Sequence, residues 1–129
     1  MHPDLASLLP NDKSETEKAE AIVALGFPVV EPILPLLVEW MQDINWPVAK
    51  TLRPFLASIG APLAPHVRYV LATNDAIWKY WVVRCIVGES AELARVLRPE
   101  LQRLASLPTP REAEEEVDQM AREILARVN

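Results

Sequence analysis

The sequence predicts an all-α chain, a short solenoid of three stacked helical hairpins closed by a C-terminal capping helix. Three observations carry this prediction. First, two passages repeat in the same order: Gly26-Phe27-Pro28-Val29-Val30-Glu31-Pro32 is echoed by Gly60-Ala61-Pro62-Leu63-Ala64-Pro65, and Asp43-Ile44-Asn45-Trp46 by Asp75-Ala76-Ile77-Trp78. The intervals, 34 residues between the glycines and 32 between the tryptophans, are those of a helical-hairpin repeat rather than of a propeller or a leucine-rich horseshoe. Second, no run sustains the period-two alternation of a half-buried strand. Third, only a few residues separate successive helix signals. A length of 129 residues suits one domain, residues 1–129, burying about two-thirds of its unfolded surface without metal or disulfide.

The elements follow in order. A short N-terminal element ends near Pro10, and Ser14-x-x-Glu17 reads as a capping box, in which hydroxyl and carboxylate satisfy each other's exposed amides. Ala19, Ile22 and Val23 share a face of the first long helix, and Gly26 closes it. Pro32-Ile33-Leu34-Pro35 opens the second helix, since first-turn amides have no intrahelical partner to lose. Ile33, Leu37 and Trp40 form its inner stripe.

Asp43 or Asn45 is positioned to cap a third helix with Pro47 near its start and Val48, Leu52, Phe55, Leu56 and Ile59 on its apolar face. Pro54 falls inside it and predicts a kink; Gly60 ends it. A fourth helix from Pro65 to Thr73 buries Val67, Val70 and Leu71. The fifth follows Asn74-Asp75 and is apolar on most sides, with Trp78, Trp81, Val82 and Cys85 on one and Tyr80, Val83 and Val87 on another, which predicts the centre of the molecule. Gly88-Glu89-Ser90 stops it and caps a sixth, with Leu93, Leu97, Leu101 and Leu104 inward and a bend at Pro99. Thr109-Pro110-x-Glu112 is a second capping box, and the last helix is expected to bury Ala113, Val117, Ala121, Ile124 and Val128.

Composition removes several functions. The longest apolar stretches fall far short of the roughly 20 residues of a spanning helix, and the N-terminus around His2 and Asp4 lacks a secretory signal's basic start, so a cytoplasmic chain without membrane contact is expected. Cys85, the single cysteine, sits in an apolar setting and reads as packing rather than a reactive thiol. Net charge is −5 in three blocks: residues 1–52 carry eight acids and three bases, 53–111 four acids and eight bases, 112–129 six acids and two bases. An acidic total disfavours sequence-independent nucleic-acid binding, although the basic middle can form a local patch. His2 and His66 have no metal-ligand spacing, and three glycines make no phosphate loop, so no metal, no cofactor and no catalytic residue is expected.

The sharpest candidate is the repeated Asp-x-x-Trp string, which sets a carboxylate beside an indole. Trp40, Asp43, Asn45, Trp46, Asp75, Trp78, Lys79 and Tyr80 would form a recognition groove in which rings give contact area and carboxylates orient a cation. In the competing structural reading Asp43 and Asp75 cap helices while the tryptophans fill the space between hairpins. Asn45, Lys79 and Tyr80 are not accounted for by capping. Trp78 and Trp81 are expected in the core and Trp46 partly exposed.

Hairpins of this length, with a proline-bent first helix, Asp near its start and Gly at the turn, resemble HEAT-type repeats over residues 14–106. The strings Leu8-Leu9-Pro10-x-Asp12-Lys13, Trp40-x-x-Asp43-x-Asn45-Trp46-Pro47-Val48-Ala49, Ile59-Gly60-x-Pro62-Leu63, Trp78-Lys79-Tyr80-Trp81 and Glu114-Glu115-Glu116-Val117 resemble the small bacterial domain-of-unknown-function family 5071. That resemblance implies a helical-repeat fold and no activity. The expected function is non-catalytic binding of another protein. The alternatives are an immunity-type inhibitor, an acidic protein blocking a basic bacterial toxin, and a nucleic-acid enzyme or binder of the helical-repeat DNA glycosylase type. Where Arg53, Arg68, Arg84, Arg95, Arg98 and Arg103 lie relative to the tryptophans discriminates these readings.

Overall fold

First-turn prolines or side-chain caps mark where most of the helices begin. In the computed structural model, which describes residues 4–128, every regular element is helical and no strand occurs among the described residues; His2 lies outside them. The order is α1 (Leu5–Leu8), α2 (Thr16–Leu25), α3 (Leu34–Glu39), α4 (Pro47–Ile59), α5 (Ala64–Leu71), α6 (Ala76–Cys85), α7 (Ala91–Val96), α8 (Arg98–Ser106), α9 (Pro110–Glu114) and α10 (Val117–Val128). Single 3-10 turns, Glu31–Ile33 and Ala61–Leu63, lead into α3 and α5, and two more, Trp40–Gln42 and Val87–Glu89, follow α3 and α6.

Alternate helices pack together: α2 on α4, α3 on α5, and α4 on α6, while α6 also meets α5, α9 and α10. The long α10 lies along α8. One continuous cluster fills the interior, with Ile22, Leu37, Leu52, Leu56, Leu93, Leu97, Leu101 and Leu104 fully buried. Gly26 and Gly60 close their helices with φ of 74° and 77°, the sign that side chains resist. At Gly60 space is limiting too. A Cβ there would stand 2.6 Å from a carboxylate oxygen of Glu92, whose other oxygen accepts the Ala61 amide at 3.2 Å and ties this turn to α7.

Several local expectations give way. The Ser14–Glu17 capping box does not form, because the preceding loop uses its own carboxylates: Asp12 accepts the Ser14 amide at 2.7 Å, and Glu15 accepts the amides of Asn11 and Asp12. The helix therefore starts at Thr16 without a side-chain cap. Neither Asp43 nor Asn45 caps α4. Pro47 excludes the residue before it from helical ψ, so Trp46 (ψ 137°) becomes the N-cap and the first helical amides lie beyond the reach of Asp43. Asp43 instead accepts the Asn45 amide at 3.0 Å and closes a turn. Asp75, with no proline after Trp78, caps α6 by accepting the Trp78 amide at 3.0 Å.

Downstream, α4 runs unbroken through Pro54. The expected sixth helix divides at Leu97, two residues before Pro99, which lies in the first turn of α8 where its missing amide costs nothing. The expected last helix also divides, at Glu115 and Glu116, the latter at φ 63°. Ala113, expected inside, is exposed, and Glu112 is fully buried in its place. Trp78 is core, whereas Trp81 is only half-buried at the edge of the cluster.

The two aspartates are therefore energetically unequal. In urea unfolding, Asp75→Ala should cost about 1 kcal/mol, the usual loss for an N-cap, and Asp43→Ala clearly less. Equal losses would contradict the distinct roles assigned to them.

Candidate functional site

Three clefts, linked by shared residues, border α3 or the turn that leads into it, and two of them also reach α5. The central one, about 370 Å³, is lined by Pro35, Val38, Glu39, Pro65, His66, Tyr69, Val70 and Trp78. A second, about 500 Å³, shares Pro35 and His66 and adds Pro28, Val29, Glu31 and Pro32. A third, about 320 Å³, shares Glu39 and adds Leu9, Pro10, Leu36, Trp40, Gln42 and Trp46. The furrow they form carries exposed apolar side chains, Val29, Leu36 and Tyr69, the last 69% exposed. Glu31 and Glu39 are its acidic members.

Of the sequence candidates, Trp40, Trp46 and Trp78 line this furrow. Trp40 and Trp46 meet edge to face with centroids 5.7 Å apart and planes at 77°. Asp43 holds them there: its carboxylate and carbonyl take the amides of Asn45 and Trp46, folding residues 43–46 so that one ring returns to the other. Trp78 is buried, and its indole N–H donates to the Val38 carbonyl at 3.0 Å, pinning α6 to α3. Asn45 and Asp75 are exposed and line none of the three clefts.

Lys79 and Tyr80 point elsewhere. The Lys79 ammonium is buried against Glu112 at 2.7 Å, and Arg103 grips the same carboxylate through two guanidinium nitrogens at 2.6 and 3.0 Å. Glu112 also completes the predicted capping box, its carboxylate taking the Thr109 amide at 2.9 Å while the Thr109 hydroxyl takes the Glu112 amide at 3.1 Å. Burial pushes the Glu112 carboxyl upward, but the Arg103, Lys79 and Thr109 hydrogen bonds outweigh it and hold the pKa at about 2. Tyr80 stacks edge-on against Trp81 at 5.1 Å and accepts a hydrogen bond from Arg84 at 3.3 Å; the Arg84 guanidinium lies 5.9 Å from the Trp81 ring centre.

A separate cleft of about 680 Å³ opens between α4 and the end of α6, lined by Lys50, Arg53, Pro54, Ala57, Ser58, Arg84, Cys85 and Glu89. Burial raises the pKa of the half-buried Cys85, while Arg53 and Arg84 pull in the other direction. Elsewhere the middle-block arginines are engaged: Arg68 with Glu100 at 3.0 Å, Arg103 with Glu112, and Arg98 with the Val128 carbonyl at 3.1 Å. Arg95 is exposed on α7. None of the six lines the furrow.

Leu36, His66, Tyr69 and the furrow prolines were not singled out as binding residues from sequence. A signal was present: Pro32-x-x-Pro35 and Pro62-x-x-Pro65 open α3 and α5 at matching places in the repeat, and three of these four prolines line the clefts.

An all-helical chain with a proline-edged, aromatic furrow along two adjacent helices is the class that fold and clefts define. Residues 8–125 match the family described as "Domain of unknown function (DUF5071)", and the chain belongs to that family. Among curated proteins none matches it.

Two measurements check these placements. Trp78→Ala should cost about 3–5 kcal/mol, as buried aromatics do, and the half-buried Trp46→Ala much less; comparable losses would mean that both rings are structural. Glu112→Gln should cost about 3 kcal/mol at pH 7, because it leaves the Lys79 charge buried without a counter-ion. Since the folded pKa of Glu112 lies below its ordinary value of 4.5, the wild-type advantage is complete above pH 4.5 and declines as pH falls toward about 2. A gap between the two proteins that stays constant over that range would refute the coupling.

Proposed function

We propose that this protein is a non-catalytic protein-binding module, a short HEAT-like solenoid that receives a partner segment in the α3–α5 furrow. The observation that carries the reading is that three clefts join through shared residues at α3, two of them extending to α5, with Val29, Leu36 and Tyr69 left exposed, since apolar surface rimmed by polar groups marks an interaction site. Tyrosine and tryptophan offer large contact area at low conformational cost. Prolines add rigid walls that lose little entropy when covered.

The furrow's carboxylates, Glu31 and Glu39, favour a partner segment that combines apolar and basic residues. That preference, with the acidic excess of residues 1–52, also supports the immunity-type reading, in which charge complementarity accelerates the encounter with a basic toxin. The nucleic-acid reading is less well supported, because the middle-block arginines do not join the tryptophans of the furrow on one surface.

The test compares capture of native-host proteins by immobilised wild type, by a Leu36→Asp/Tyr69→Asp variant and by Arg95→Glu, which alters exposed surface outside the furrow. A protein held by wild type and Arg95→Glu but lost by the double variant is the expected result. Capture unaffected by the double variant, with its helical circular dichroism intact, would remove the furrow from consideration.

A further inference from the structure

We propose that the cleft between α4 and the end of α6 binds a phosphate-bearing small molecule, whose charge is held by Lys50, Arg53 and Arg84. The three cations come from two helices and line one cavity of about 680 Å³, within the range of small-molecule sites. Against them the cleft sets a single carboxylate, Glu89. Among the described residues none of the three makes an ion pair, in a chain whose 18 acids outnumber its 13 bases. Arg68, Arg103 and Arg122, by contrast, each hold a carboxylate.

Helix electrostatics do not account for the cluster. Arg84 complements the negative end of α6, but Lys50 directly follows the first turn of α4, the positive end, which carries no acid to offset it. The arginines are also oriented. Arg84 donates to the Tyr80 hydroxyl and lies by the Trp81 ring, and Arg53 places a guanidinium nitrogen 4.0 Å from the Cys85 sulfur. Guanidinium forks match phosphate oxygens, and a local excess of two positive charges matches a phosphomonoester's roughly −1.5 to −2 at pH 7 better than it matches one carboxylate.

Cys85, the only cysteine, lines the same cleft and reports its occupancy. A bound phosphate would both cover the thiol and offset the two arginines that favour thiolate, so each effect slows alkylation. The experiment measures iodoacetamide alkylation of the full chain at pH 8.5 with increasing inorganic pyrophosphate, against sodium chloride at matched ionic strength. Saturable slowing is expected, roughly tenfold at about ten times Kd by mass action. The protection should persist in Arg95→Gln and disappear in Arg53→Gln and Arg84→Gln, with Lys50→Gln, at an exposed position, as the further variant should either arginine change unfold the chain. Slowing no greater than that given by sodium chloride overturns the proposal, as does full protection in the folded variants. A polyglutamate peptide that protects at lower concentration than pyrophosphate would overturn the phosphate assignment in favour of an acidic polypeptide.

Discussion

The buried carboxylate of Glu112 determines how the C-terminal third attaches to the rest. It gathers Lys79 from α6, Arg103 from α8 and the Thr109 amide at the head of α9 around one fully buried group. Such a cluster is no cheap source of stability, because removing charges from water offsets most of the Coulombic gain. What it supplies is orientation. With Glu112 facing inward, α9 has one rotation available, Ala113 faces water, and the chain must turn before it can continue. The turn falls at Glu116, in the left-handed region, and from it α10 departs to lie along α8 and against α6. An unbroken helix from Thr109 to Val128 would have to choose between the ion cluster and the apolar stripe of Val117, Ala121, Ile124 and Val128, all of which the break allows to be buried.

What the sequence made legible were the features decided within a few residues. Asp75, Ser90 and the Thr109–Glu112 box are caps whose donors lie three positions away, and Gly26 and Gly60 mark ends that need positive φ. The all-helical class and the leucine ladder of α7 and α8 follow from periodicity. Less legible were features decided by competition or distance. Ser14 and Glu17 fit a capping box, yet Asp12 takes the Ser14 amide that Glu17 would have accepted. Lys79 suggested a groove because its counter-ion stands 33 residues away, beyond any local pattern, and Ala113 suggested core for the same reason. The candidate site was half legible: the aromatic content was visible, whereas the furrow depends on which helices become neighbours.

The two clefts differ in composition for a topological reason. Because alternate helices pack together, α3 and α5 frame one and α4 and α6 the other, so residues close in sequence are assigned to different surfaces. Glu39 and Lys50, eleven positions apart, thereby serve an acidic furrow and a basic cleft. Net charge conceals this segregation, and the block pattern along the chain shows it only in part, since Lys50 belongs to the acidic first block.

The repeated Asp-x-x-Trp string shows how one imino acid diverts a duplicated device. In the second copy Trp78 is followed by Lys79, the helix starts immediately after Asp75, and the indole is carried inside to bond the Val38 carbonyl. In the first copy Pro47 follows Trp46 and denies it helical ψ, so the helix starts three residues later relative to its aspartate. Asp43 then has no amide to cap and turns the loop instead, and Trp46 swings against Trp40 at the furrow's end. Capping is thus retained where the indole is needed for stacking helices and lost where the indole stays at the surface. The first copy gives up a cap's contribution to stability, and it leaves its ring half-exposed beside Trp40.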